Sequence, residues 1–169
     1  MKKLYTLLAL TMSFSINAQL TAVTEGGNTG QRLSTSNASN HGNIGSDAVD
    51  LSVQSLASST RGATGFKAVA MGSNTTASGS YSAGMGYYTT ASGDSSTAMG
   101  RGTTASGTDS TAMGYYTEAS GSRSTAMGRS TTASDYASTV IGQYNSSGSS
   151  ATSATSFSTS AVSYTHLTL

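Results

Sequence analysis

Large apolar residues are sparse in this chain, and they recur at one fixed position of a fourteen-residue block. Within residues 57–148 that position holds methionine five times and then isoleucine, and a glycine follows each of them. These residues are Met71, Met85, Met99, Met113, Met127 and Ile141. Side chains around them alternate with period two, which predicts a short β-strand. A second block, most often Thr-Thr-Ala-Ser-Gly, lies midway between them and predicts another short strand and a turn.

A repeat of fixed length indicates a solenoid. Helical hairpin repeats need more than about 30 residues, whereas two short strands and two tight turns fit into a shorter coil. Stacked coils place equivalent residues about 4.8 Å apart, so that six coils form a rod of about 30 Å. We therefore expect an all-β fold, a parallel β-roll solenoid of fourteen-residue coils.

Strand parity predicts which side chains face the inside of each coil. In segment 96–100, Ser96, Ala98 and Gly100 share one face, whereas Thr97 and Met99 share the other. The first face is small in every repeat, which suits a narrow interior. The six large apolar residues then form an outer column, the methionine stripe, and an apolar stripe of this length indicates a partner surface. The alternative is a monomer whose methionines point into the coil.

The repeat also resembles a known family. A Ser-x-Ala-(Ile/Met)-Gly strand paired with an Ala-Ser-Gly turn every fourteen residues is similar to the head repeats of YadA-like trimeric autotransporter adhesins. The segment Gly42–Ser52 resembles the capping segment of such a head. The resemblance implies a left-handed β-roll, three chains around an axis, with the methionine stripe as the trimer interface, and attachment to surfaces or matrix proteins. Methionine and threonine replace the branched residues usual in the family strand, and only Val140-Ile141-Gly142 comes close to it.

One position has twice the period of the rest. The residue after each Met-Gly pair reads Tyr87, Arg101, Tyr115 and Arg129. Stacked coils would make these residues neighbours, and alternating tyrosines and arginines attract one another by about 0.5–1 kcal/mol per exposed cation–π pair. The column is either a ladder that stabilises the roll or a candidate adhesive edge that contacts a partner protein or glycan. Tyr88 and Tyr116 widen the same edge.

Composition argues against several classes of function. Charged residues make up 9% of the chain, the formal net charge is +1, and cysteine is absent. The basic residues are scattered, so a nucleic-acid partner is not expected. No metal-ligand spacing or phosphate loop appears, so we expect no cofactor and no metal. His41 and His166 have no recognisable catalytic partners, and we expect no enzymatic activity. Asp94 and Asp109 fall at turns, where carboxylates accept backbone hydrogen bonds.

The two ends differ from the repeat. Residues 1–18 have the basic start and the short apolar run of a secretory signal peptide. Residues 19–56 are expected to cap the head repeats at 57–148, and 149–161 is a degenerate repeat or a Ser/Thr-rich linker. The last eight residues, 162–169, match a translated adapter sequence of sequencing libraries, so we expect the natural protein to continue beyond Ala161. The residues present contain no stalk or membrane anchor.

These features favour an exported adhesin fragment at a bacterial cell surface or outer membrane, or in the extracellular space. Its expected partners are two copies of itself and a matrix protein, a glycan or another surface ligand. One alternative is a trimeric fibre that precedes an intramolecular chaperone domain. Another is ice or crystal-surface binding by a threonine column, although parity pairs that column with the interior alanines. The column consists of Thr75, Thr89, Thr103, Thr117 and Thr131.

Overall fold

The computed structural model describes residues 20–147. The expected signal peptide at 1–18, the Ser/Thr-rich segment at 149–161 and the octapeptide at 162–169 lie outside these residues, as does His166. The described chain is almost entirely β-strand, with one short 3-10 helix at Ala38–Asn40. The strands form one sheet of nine strands and one of six.

The strands are numbered in chain order. The nine-stranded sheet contains, in this spatial order, β1 (Leu20–Glu25), β2 (Asn28–Leu33), β3 (Val49–Val53), β5 (Val69–Ser73), β7 (Ala83–Tyr87), β9 (Thr97–Arg101), β11 (Thr111–Tyr115), β13 (Thr125–Arg129) and β15 (Thr139–Gln143). The six-stranded sheet contains β4 (Gly62–Ala63), β6 (Thr76–Ala77), β8 (Thr90–Ala91), β10 (Thr104–Ala105), β12 (Glu118–Ala119) and β14 (Thr132–Ala133). The β1–β2 hairpin is antiparallel. The other strand pairs are parallel.

Successive coils of the repeat stack in register. Met113 on β11 lies between Met99 on β9 and Met127 on β13, and Ala105 on β10 lies between its equivalents on β8 and β12. The result is a parallel β-solenoid of about eight turns. The predicted all-β solenoid is therefore confirmed. Its left-handedness and the number of chains in the assembly stay predictions.

The interior of the roll is filled by small side chains. Ala98 and Ala112 from the long strands and Ala105 and Ala119 from the short strands are fully buried. This alanine cluster ends at Val140 in the last coil. Methionine is absent from the buried core of residues 20–147, so the predicted inward face is confirmed and the alternative of inward-pointing methionines is excluded.

Two columns of hydroxyl groups accompany the alanines. The threonine column that ice binding would require is 0–1% exposed, so it is not available at the surface. A serine column of Ser82, Ser96, Ser110 and Ser124 is buried in the same way. Their side-chain oxygens have no hydrogen-bond partner within residues 20–147. The interior therefore gains no side-chain hydrogen bonds from these groups, and the backbone must hold the coils together.

The glycine after each large apolar residue is required by the close approach of neighbouring coils. Gly100 has a φ of +121°, and a Cβ atom there would lie 2.1 Å from the carbonyl oxygen of Gly114. Equivalent contacts occur at Gly72, Gly86, Gly114 and Gly128. An L side chain would thus be strained by its own backbone and would collide with the next coil.

A second glycine column lines the opposite corner and ends in an aspartate. A Cβ atom at Gly107 would lie 2.1 Å from the carbonyl oxygen of Gly121, and one at Gly121 would lie 2.1 Å from that of Asp135. The column comprises Gly65, Gly79, Gly93, Gly107 and Gly121, and Asp135 takes the sixth place. The last described coil therefore carries a side chain where the earlier coils have none.

The stacked strands begin before the regular repeat. Val49 on β3 pairs with Val69 on β5, an offset of 20 residues rather than fourteen. The extra residues form the loop at 54–60, and Asn74 Oδ1 accepts hydrogen bonds from the backbone and hydroxyl of Ser55. The first parallel strands thus lie within the segment that the sequence assigned to the cap.

Alanine at Gly100 is expected to destabilise the roll far more than alanine at Gly142. Both positions have positive φ, +121° and +114°, which costs an alanine about 1–3 kcal/mol. Only Gly100 faces the backbone of a further coil, whereas a Cβ at Gly142 would meet the side-chain nitrogen of Asn145 at 2.9 Å. Overpacking adds about 1–3 kcal/mol at Gly100. Urea unfolding followed by circular dichroism measures both losses, and equal losses would contradict the close-approach argument.

Candidate binding surface

The methionine stripe lies on the outer face of the nine-stranded sheet. Met71, Met99 and Ile141 are 43%, 39% and 60% exposed, and the other three members are partly exposed. Leu51 continues the stripe because it pairs with Met71. The β2–β3 offset places Leu33 level with Leu51, and Leu33 pairs with Leu20 on β1. These leucines form a leucine extension, so large apolar side chains cross all nine strands.

The four residues with the doubled period also form one column. The guanidinium carbon of Arg101 lies 5.5 Å from the ring centroids of both Tyr87 and Tyr115. That of Arg129 lies 5.8 Å from the Tyr115 ring. The predicted neighbours are therefore brought together, and each arginine is held near aromatic rings by cation–π contacts.

A second column of tyrosines borders the first. Tyr88 packs edge-on against Tyr87 with centroids 4.6 Å apart, and Tyr116 packs in the same way against Tyr115 at 4.5 Å. Arg61 lies 5.5 Å from the Tyr88 ring, and Arg129 lies 5.6 Å from the ring of Tyr144. We name the combined surface the tyrosine–arginine edge, comprising Arg61, Tyr87, Tyr88, Arg101, Tyr115, Tyr116, Arg129 and Tyr144.

Sequence reasoning missed two members of this edge. Arg61 belongs to the irregular first coil, where no repeat assigns it a neighbour. Tyr144 continues the series of Tyr88 and Tyr116 at the same spacing of 28 residues, so that periodicity contained the signal needed to find it.

A cleft opens in the middle of the edge. It is lined by Tyr87, Tyr88, Arg101, Gly102 and Tyr116 and has a volume of about 430 Å³. Gly102 makes the cleft possible because a Cβ atom there would lie 2.6 Å from a ring carbon of Tyr116. The walls are aromatic, the polar groups are phenols and one guanidinium, and no carboxylate lines the cleft.

The opposite corner of the roll carries a different set of charges. Asp94 Oδ1 accepts a hydrogen bond from the backbone nitrogen of Ser80 at 2.9 Å, which confirms its predicted role at a turn. Asp109 Oδ2 lies 3.8 Å from Arg123 Nε. Arg123 also donates a hydrogen bond to the Tyr136 hydroxyl. This corner therefore pairs its arginine with a carboxylate, whereas the tyrosine–arginine edge does not.

The cap contains a buried polar cluster that the sequence did not reveal. His41 Nδ1 lies 2.7 Å from Asp50 Oδ2, and Arg32 forms an ion pair with Glu25 at 2.6 Å. Ser52 donates backbone and hydroxyl hydrogen bonds to Asp50 Oδ1. The Ser52 hydroxyl thus serves the carboxylate rather than the histidine, and the cluster ties the β1–β2 hairpin to β3.

Two carboxyl groups of this cluster have lowered pKa values. Burial alone would raise the pKa of Asp50, but the hydrogen bonds from His41 and Ser52 outweigh it and keep the pKa below its ordinary value. Burial likewise opposes ionisation of Glu25, whereas its hydrogen bonds with Arg32 and the Ile44 backbone lower its pKa. Residues 20–147 contain no group of three or more acidic, histidine or cysteine side chains placed to bind a metal ion. No helix in the same range is long and apolar enough to cross a membrane.

Comparison with known families matches the repeat region to a single description. The family model of the YadA head domain repeat, which spans two copies, matches residues 63–89, 91–117 and 119–145. Residues 63–145 form a YadA-like head. The three matches begin 28 residues apart, so each covers two of the coils. No curated protein and no solved structure matches the chain.

Acid is expected to destabilise the head through the buried cluster of its cap. Because the pKa of Asp50 is lower in the folded chain, its carboxylate stabilises the fold above the unfolded pKa of about 4, and this contribution is lost as the pH falls through the folded pKa. Asp50→Asn leaves Arg32 and His41 without that charge. It should lower the free energy of unfolding by about 3–5 kcal/mol at pH 7.

Thermal unfolding between pH 7 and pH 2 measures both effects. Asp47→Asn is the matched control, because Asp47 is an exposed aspartate of the same segment. It should leave the acid dependence unchanged, whereas Asp50→Asn should flatten it. A variant at Asp50 with wild-type stability at every pH would show that the cluster does not stabilise the cap.

Proposed function

We propose that the protein is an exported surface adhesin whose head attaches to matrix proteins, cells or surfaces without catalysing a reaction. The observation that carries the proposal is the match of residues 63–145 to the YadA head repeat, together with the stacked coils in the same residues. The head acts at a bacterial cell surface or outer membrane. Its outward columns repeat in every coil, so many weak contacts add through multivalency.

The proposed assembly is a homotrimer held together by the methionine stripe and its leucine extension. Large apolar side chains follow one line across nine strands, a length of about 38 Å at the usual spacing between strands. Soluble monomers rarely leave continuous apolar strips of this kind in water. A trimer would bury the three stripes against one another and supply the large apolar core that the alanine-lined coil lacks.

A charge in the methionine stripe is expected to prevent trimerisation. Met99→Glu places a carboxylate in the proposed interface, where it would lose its hydration without gaining a partner. Thr104→Glu is the matched control, because Glu118 already occupies the same column of the short sheet. Light scattering on the full chain at micromolar concentration should give a trimer for the wild type and for Thr104→Glu, and a monomer for Met99→Glu. A wild type of monomeric mass would contradict the proposed interface.

The adhesive role predicts attachment by the purified protein alone. Latex beads coated with the full chain should adhere to epithelial cell layers or to collagen- and laminin-coated glass, whereas albumin-coated beads should not. Met99→Glu beads should adhere less, because a monomer presents one head where a trimer presents three. Failure of wild-type beads on every one of these surfaces would overturn the adhesin proposal.

A further inference from the structure

The charges of the tyrosine–arginine edge are not neutralised within the protein. Arg32 is buried with Glu25 and Asp50, and Arg123 pairs with Asp109. By contrast, Arg61, Arg101 and Arg129 have no carboxylate within 4.0 Å in the described chain. The carboxylate nearest to the edge in sequence is Glu118, which lies on β12 beyond the corner. The edge is therefore a cationic strip on a chain of low overall charge.

The two central arginines are positioned but not engaged. Arg101 lies between the rings of Tyr87 and Tyr115, and its side chain remains exposed. Neither Arg101 nor Arg129 donates a hydrogen bond to any group of residues 20–147. Their planar N–H donors can thus accept a carboxylate or sulfate in a bidentate contact. The flanking rings restrict the side chains beforehand, which lowers the entropy cost of binding.

The cleft beside Arg101 adds a requirement for a ring. Its volume of about 430 Å³ lies within the range of small-ligand sites, which commonly combine apolar walls with a few polar groups. The C–H faces of a sugar ring pack well against tyrosine rings, and sugar hydroxyls hydrogen-bond with phenols. An anionic sugar satisfies both the aromatic walls and the guanidinium.

The edge repeats its chemistry along the roll. Arg101 and Arg129 are separated by two coils, about 9.6 Å at the usual strand spacing, and each is followed by tyrosine in the next coil. A polymer with regularly spaced anionic groups can therefore contact several arginines at once. Such contacts raise the apparent affinity through effective concentration.

We propose that the tyrosine–arginine edge binds acidic polysaccharides. A sugar ring lies in the cleft between Tyr88 and Tyr116, and its carboxylate or sulfate group is held by Arg101, with Arg129 holding a later unit of the polymer. The proposal rests on the adhesin function only in naming one ligand class for it. Direct binding and bead attachment are therefore measured separately.

The first experiment compares two arginines of equal charge. Surface plasmon resonance of the full chain on immobilised heparin, a sulfated chain, and polygalacturonate, a carboxylated chain, should show binding to at least one of them. Neutral dextran should show none. Arg101→Gln should weaken binding by about tenfold or more, in line with the loss of a charge-assisted hydrogen bond. Arg123→Gln removes the same charge from the opposite corner and should change the affinity by less than about twofold, since long-range effects of one exposed charge are screened. Equal losses in the two variants would overturn the assignment to the edge, and so would no binding to either polysaccharide.

The second experiment asks whether the site recognises rings or charge alone. Poly-L-glutamate at equal charge concentration should fail to displace the polysaccharide. Tyr88→Asn should weaken binding of the polysaccharide, and asparagine suits this position because Asn74 occupies the same column with the same positive φ. Displacement by poly-L-glutamate equal to that by free polysaccharide would identify an acidic polypeptide site and overturn the proposal.

The bead assay then separates this inference from the adhesin proposal. Beads that attach to cells although the chain binds neither polysaccharide would leave the adhesin intact and overturn the inference. Polysaccharide binding that depends on Arg101, with no attachment to any surface, would support the inference and remove the adhesin proposal.

Discussion

The parallel backbone ladder between coils is the interaction on which the rest of the molecule depends. Thr97 donates its backbone hydrogen to Ser110 at 2.8 Å, and Thr111 donates to Ser124 at 2.9 Å, one coil further along. A roll so thin cannot bury large side chains, and its interior holds alanine, serine and threonine. Its stability therefore comes from many repeated backbone contacts, and these require that no side chain separates the coils. The glycines after the methionines meet that requirement.

The same ladder determines what the outer surface can present. In-register stacking places each side chain about 4.8 Å from its equivalents. This suits methionine, which gains from contact with its own kind, but it would bring like charges together. Doubling the period on the tyrosine–arginine edge inserts a ring between Arg101 and Arg129, which roughly halves their Coulomb repulsion and replaces it locally with cation–π attraction.

The regular part of the fold could be predicted from the sequence because each coil repeats the same information. The parity of Ala98 and Met99 gave their opposite faces, and the spacing of Tyr87 and Arg101 gave their contact. The cap could not be predicted in this way. The offsets of β2 to β3 and of β3 to β5 differ from the repeat length. The pairing of His41 with Asp50 and the alignment of Leu51 with Met71 therefore depend on loop geometry that no periodicity encodes. Arg61 joins the edge for the same reason.

Asp135 gives the roll a direction of growth. At each earlier place in its column a glycine allows the next coil to approach within the reach of a Cβ atom, as at Gly121, where that atom would lie 2.1 Å from a carbonyl oxygen. A further coil in the same register would meet the Cβ of Asp135 at the same separation. Exposed strand edges invite the addition of other chains. A single aspartate at the end of a glycine column blocks the continuation of that stacking, so two heads cannot join end to end into one longer solenoid.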